Sequence, residues 1–108
     1  LGHLLVTEER EPADAVREFA PHLGTVAIED MRRRDHTHLP FGEGEMDIPA
    51  CLDALEGIGF TRLVCVELSR ESHRADRMIP GSIGWLRRCR PSPSPALAGE
   101  GRGGGNPR

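Results

Sequence analysis

Two short, apolar, β-branched runs, "TVAIEDM" at 25–31 and "RLVCVEL" at 62–68, are separated by a stretch of helical periodicity, and that alternation restricts the chain more than any other feature. Strands apolar on both faces must be covered on both faces, which is the situation of parallel strands joined by crossover helices. The helical stretches have readable ends. Pro12 sits where a helix start tolerates it, Asp14 lies in the first turn, and Val16, Phe19, Ala20 and Leu23 follow at helical spacing before Pro21 and Gly24 close the segment. Asp47 can cap a second helix in which Ile48, Cys51, Leu52 and Leu55 share a face, with Gly57 and Gly59 marking its end. "LGHLLVT" at 1–7 reads as the end of another buried strand. Ala75, Met78, Ile79, Ile83 and Leu86 predict a last helical region, broken into two short pieces by Pro80-Gly81. The expected order is β-α-β-α-β-α, an α/β fold with parallel strands.

The rest of the composition sets limits. "RPSPSPALAGEGRGGGNPR" at 90–108 concentrates Pro and Gly without periodicity and is expected to be a disordered tail, leaving 1–89 to pack. A formal charge of -3 gives no electrostatic case for nucleic acid over the whole surface. No apolar run approaches the ~20 residues that cross a membrane. Cys51, Cys65 and Cys89 have no close pair spacing, so neither a disulfide framework nor a CxxC knuckle is indicated, and a reducing cytoplasm fits best. The chain opens on Leu rather than Met, with no secretory pattern, and its opening strand-like residues imply preceding sequence.

In parallel α/β folds, chemistry gathers past the carboxyl ends of strands. His3, Glu29, Asp30, the segment "HTHLPFGEGE" at 36–45, and Glu67 all fall there, so four pieces of chain converge on one rim. The 36–45 segment is expected to be an irregular loop. His36 and His38, spaced H-x-H, can reach one divalent ion or two adjacent ions with Glu67 adding oxygen; alternatively one of them bonds a carbonyl or Asp35 within a solvated loop. Glu67 ends an apolar strand, where a carboxylate needs a partner or a cation. "RRR" at 32–34 is either a solvated face or a phosphate contact. Trp85 is expected to pack the last helix, and Cys65 to face a buried layer as a small hydrophobe.

The run "VAIEDMRRRDHTHLPFGEGEMD" followed by "LDALEGIGFTRLVCVELSRESH" resembles the last third of the xylose isomerase-like TIM barrels, the superfamily of sugar phosphate isomerases and epimerases that also includes the endonuclease IV group. The resemblance implies the last three βα units, about strands 6 to 8, of a (β/α)8 barrel over 1–89. It implies a divalent metal, Mn, Mg, Co or Zn, with His36, His38 and Glu67 as ligands, and His3 and Arg33 as substrate-binding residues. Glu29 and Asp30 would then steer a ligand or orient a histidine from behind the metal ligands.

The departures are equally specific. The Asp of the family's D-x-x-H motif would fall just before Leu1, and Ala27 stands where a metal histidine often stands. The function implied is the carboxyl-terminal portion of a divalent-metal-dependent sugar or sugar phosphate isomerase or epimerase, inactive by itself, with no residue assigned as general base. A non-catalytic barrel remnant or accessory protein is the alternative from another class. An abasic-site nuclease is a third reading, disfavoured by the acidic balance. The partners implied are a small sugar substrate and the missing barrel strands, or self-association in their place.

Overall fold

The computed structural model describes residues 1–89; the tail expected from residue 90 onward lies outside the described residues. The elements run α1 (Gly2–Thr7), α2 (Pro12–Glu18), β1 (Val26–Ile28), β2 (Asp30–Arg32), β3 (Asp35–Leu39), α3 (Ile48–Gly57), β4 (Val64–Val66) and α4 (Ala75–Cys89), with single 3-10 turns at Ala20–His22 and Ser72–Arg74. β1 and β4 pair in parallel, with Ala27 opposite Cys65, and the connection between them passes through α3. This is the strand-crossover-strand unit that the two apolar runs predicted. Val26 and Ile28 are buried while Ala27 is exposed, so only one face of β1 is covered by helices.

Two clusters form the core. Leu5, Ile28, Phe41, Met46, Ile48 and Cys51 make one, and Val16, Val26, Ala54 and Leu55 the other, with Val64 packing against both. α3 supplies both clusters because Ile48, Cys51 and Leu55 share a face, and Asp47 caps it by accepting from Ala50 N at 3.1 Å. Burial pushes the Cys51 thiol up to about 11, so it stays a neutral packing group.

Three elements outside the site differ from the sequence reading, and the expected strand at 25–31 is split into β1 and β2, with β2 turning into an antiparallel hairpin. Leu1–Thr7 is not a strand end: Gly2–Thr7 is helical, with Leu5 buried, and its segment packs along β2 instead of pairing with β1. Four apolar residues in a short run fit either a strand or a helical turn, and only spatial neighbours decide. The Pro12 helix ends at Glu18, and Phe19 is left 45% exposed beneath the Arg10 guanidinium instead of joining the core. α4 is one helix through Pro80. Proline there removes a single hydrogen bond, to the carbonyl of Asp76, and Asp76 and Pro80 are both exposed, so water can take the freed oxygen.

Candidate metal centre

The chain leaves β1 at Glu29 and immediately enters a hairpin. β2 and β3 are antiparallel, with Asp30 opposite Leu39 and Arg32 opposite Asp35, and a register irregularity between those pairs. Arg34, at φ 61, makes the tight reversal, a left-handed conformation that costs a non-glycine residue about 1 kcal/mol or more. The segment expected to be an irregular loop is therefore half strand: Asp35–Leu39 is β3, and the irregular part begins at Pro40. That difference orders the site, because residues two apart on a strand face the same way.

His36 and His38 accordingly sit together, and His3 reaches them from α1. Ring centroids are 4.5 Å apart for His3 and His36, 5.4 Å for His36 and His38, and 6.0 Å for His3 and His38. The Nε2 atoms of His3 and His36 approach to 2.8 Å, so one ring must donate and the other accept. On the other side of His38 lie two carboxylates. One ligand atom from each of Glu29, His38 and Glu67 falls within 4.8 Å of the others, as does one from each of His3, His36 and His38. His38 belongs to both groups. Ligand atoms around a tetrahedral first-row ion stand roughly 3.3 Å apart, so small side-chain movements would close either group on a cation.

Burial falls differently from the expectation. Glu67, placed past β4 with its amide bonded to Ile28 O at 3.1 Å, is exposed. Glu29 is the carboxylate taken out of water, at 2% exposure. Burial pushes its carboxyl above the ordinary range and the nearby Glu67 adds to the rise, while the Leu1 ammonium, His38 and His3 oppose it. Its Oε2 has no hydrogen-bond partner, only the Leu1 ammonium at 4.0 Å, and the buried Nδ1 of His38 is also unpartnered. Buried polar atoms are normally hydrogen-bonded, so these two unpartnered atoms, on residues whose potential ligand atoms cluster, mark the spot as a candidate cation site.

Other predicted site residues are placed elsewhere. Arg33 is held by Glu11 at 3.1 Å and approached by Glu8 at 4.0 Å, while its amide donates to Glu45. Arg34 pairs with Glu8 at 2.9 Å, and Arg32 donates to the carbonyl of Glu43, so the "RRR" run is engaged in local pairs. Asp30 is buried, but its carboxylate turns toward residues 42–46 and away from the histidines. Cys65 faces the uncovered side of the sheet and is exposed, not buried as expected. All three thiols are free. Trp85 of α4 stacks on Phe41 with centroids 5.4 Å apart, tying the last helix to the segment after β3. The larger part of Glu29 in the site does not follow from the sequence: strand alternation would put it with exposed Ala27, yet it is buried because the chain turns into the hairpin directly after Ile28.

Parallel strands linked by a crossover helix, with potential ligands gathered near their carboxyl ends, define an α/β protein. Residues 1–89 match the family model described as xylose isomerase-like TIM barrel, and the chain belongs to that family. Among curated proteins none matches it. Among the described residues, no helix is long and apolar enough to cross a membrane.

Proposed function

We propose that this chain is the carboxyl-terminal portion of a divalent-metal-dependent sugar or sugar phosphate isomerase or epimerase, with β1 and β4 as the last two strands of a barrel. The observation that carries the reading is the clustering of ligand atoms of Glu29, His38 and Glu67, and of His3, His36 and His38, with Glu29 Oε2 and His38 Nδ1 buried and without hydrogen-bond partners. The donor set is nitrogen-rich, with two carboxylates, which suits zinc, cobalt or manganese better than the all-oxygen sphere magnesium prefers. His36, His38 and Glu67 would hold the metal, with Glu29 a ligand in its own right, and His3 completing the histidine group or contacting substrate. A bound ion of this kind polarises a carbonyl or hydroxyl and stabilises the negative oxygen formed when the neighbouring proton leaves.

The chain's own residues supply position and charge. Two carboxylates and three histidines on a hairpin, a strand end and a helix fix the substrate-facing rim, and no residue of 1–89 is assigned as the base. The remaining strands of the barrel would provide it. They would also cover a groove of about 430 Å³ between one face of β4 and α4, lined by Val64, Val66, Leu68, Met78, Ile79 and Ile83. Ala27, exposed and without a donor atom on the site face, is the observation favouring the second reading, a barrel remnant that binds without turnover.

Changing His36, His38 or Glu67 to Ala is expected to lower cobalt or zinc affinity by about tenfold or more each, since each removes a direct ligand. Isothermal titration of the chain and the three variants checks this. Equal affinity in all four proteins would remove the metal site and the enzyme reading with it.

A further inference from the structure

The hairpin that carries His36 and His38 has few apolar anchors: in β3 every residue is exposed or only partly buried. Something else must fix it. Asp30 is opposite Leu39 in the register, one residue beyond His38, and its carboxylate is 2% exposed. That carboxylate accepts four backbone N–H groups: Met31 N at 3.0 Å and Met46 N at 3.0 Å on Oδ1, Gly42 N at 2.8 Å and Gly44 N at 3.0 Å on Oδ2. Three of the four belong to the segment that follows β3. The carboxylate thus replaces the ladder partner that an irregular segment lacks, and it satisfies the buried Met46 N together with the partly buried Gly42 and Gly44 N.

The glycines fit this arrangement. A Cβ at Gly44 would fall on Asp30 Oδ1 and come within 2.7 Å of Met31 O, so only glycine lets the backbone come this close. Gly42 has φ 96, the left-handed region, and its position faces the Trp85 ring. Glu45 N completes the closure by donating to Met31 O at 2.8 Å.

We propose that Asp30 is a positioning residue for the histidine hairpin: its carboxylate clamps residues 42–46 under β2 and thereby sets where His38 and His36 stand relative to Glu29. It touches no ligand atom and acts only through the backbone. The inference rests on the proposed metal site for its functional meaning, but its geometric content can be read in the metal-free protein.

The test uses Asp30→Asn in the full chain. The amide keeps one acceptor oxygen and points a donor at N–H groups, so at least part of the clamp is lost while volume is kept. Val16→Ala, in the core cluster away from the hairpin, serves as a control for lost stability alone. Two quantities are read: the imidazole resonances of His36 and His38 without metal, and cobalt affinity with its visible absorption bands. In Asp30→Asn the imidazole resonances should move together with the Gly42, Gly44 and Met46 amides, and cobalt affinity should fall by about 10- to 100-fold with altered bands. Val16→Ala should show neither change. Unmoved imidazoles in Asp30→Asn, or equal changes in Val16→Ala, overturn the proposal. If Asp30→Asn does not fold, Gly42→Ala, which strains the same segment and leaves the carboxylate, is read by the same criteria. A wild-type chain that takes up no cobalt counts against the metal reading, while the imidazole shifts still decide this one.

Discussion

Glu29 concentrates the energetic conflict of the site in one residue. Its carboxyl is buried with one oxygen unpartnered, and burial raises its proton affinity in the folded state above that in the unfolded chain. A raised acid works against the native state once it ionises. At low pH both states hold the proton and there is no penalty; as pH rises through the ordinary carboxylate range the unfolded chain ionises first and stability falls, until the raised native value is passed and the deficit stays constant. Glu29→Gln should therefore stabilise the metal-free chain near neutral pH by on the order of 1 kcal/mol and leave it unchanged near pH 3. The same variant should lose divalent-metal affinity, because a neutral amide is a poor ligand. Thermal melts at the two pH values, with and without zinc, check both halves; a variant that melts like wild type at neutral pH and keeps its zinc affinity contradicts the assignment. The convergence of His3, His36, His38 and Glu67 was legible from residue types, although His3 comes from a helix and His36 and His38 from within a strand, where strand ends were expected. The roles of Glu29 and Asp30 were not, because adjacent carboxylates in "IED" differ only in which way the backbone turns after Ile28, and that turn depends on the hairpin.

At the scale of elements, local signals succeeded where one force dominated and failed where two competed. The α3 cap at Asp47 and the parallel pair β1 and β4 followed from an unambiguous cap and from apolar runs with no alternative covering. The hairpin was missed because His, Thr and Asp give no hydrophobic alternation, and its pairing is backbone plus the Asp30 clamp. The helix through Pro80 is not legible in the sequence because proline costs about 3 kcal/mol in a helix interior, and nothing local shows that continuity outweighs it. Pro80 is exposed within an amphipathic helix whose Trp85 is anchored on Phe41, so the helix persists across the gap. Replacing it should then restore a hydrogen bond at no packing cost. Pro80→Ala is expected to raise stability by about 1–3 kcal/mol and to increase helical circular dichroism. Two separate helices meeting at Pro80 would give the opposite pattern, with no gain in either signal.

Over the whole molecule, the strongest constraint is what remains uncovered. The only parallel strands among the described residues are β1 and β4, and a two-stranded sheet whose β4 edge pairs with no strand, and whose β1 edge is met only by the Leu1 ammonium at Ala27 O, is marginal in water. Leu63 is 62% exposed, Ile79 64% and Ile83 41%, and the last two line the groove beside β4. A family defined by closed barrels covers such an edge with a neighbouring strand and its helix. In the isolated chain the same apolar surface is free to meet another copy, no residue of 1–89 is assigned as a base, and Ala27 offers no donor atom. The 108-residue chain is therefore expected to self-associate and to show no appreciable sugar epimerisation with manganese, cobalt or zinc. Ile79→Lys combined with Ile83→Lys should shift it toward the monomer, since both side chains are surface-accessible and the charges oppose burial. Sedimentation velocity over a concentration series and an epimerisation assay on the same preparations decide the matter: turnover by a wild-type monomer would show that the open edge and groove need no further strands.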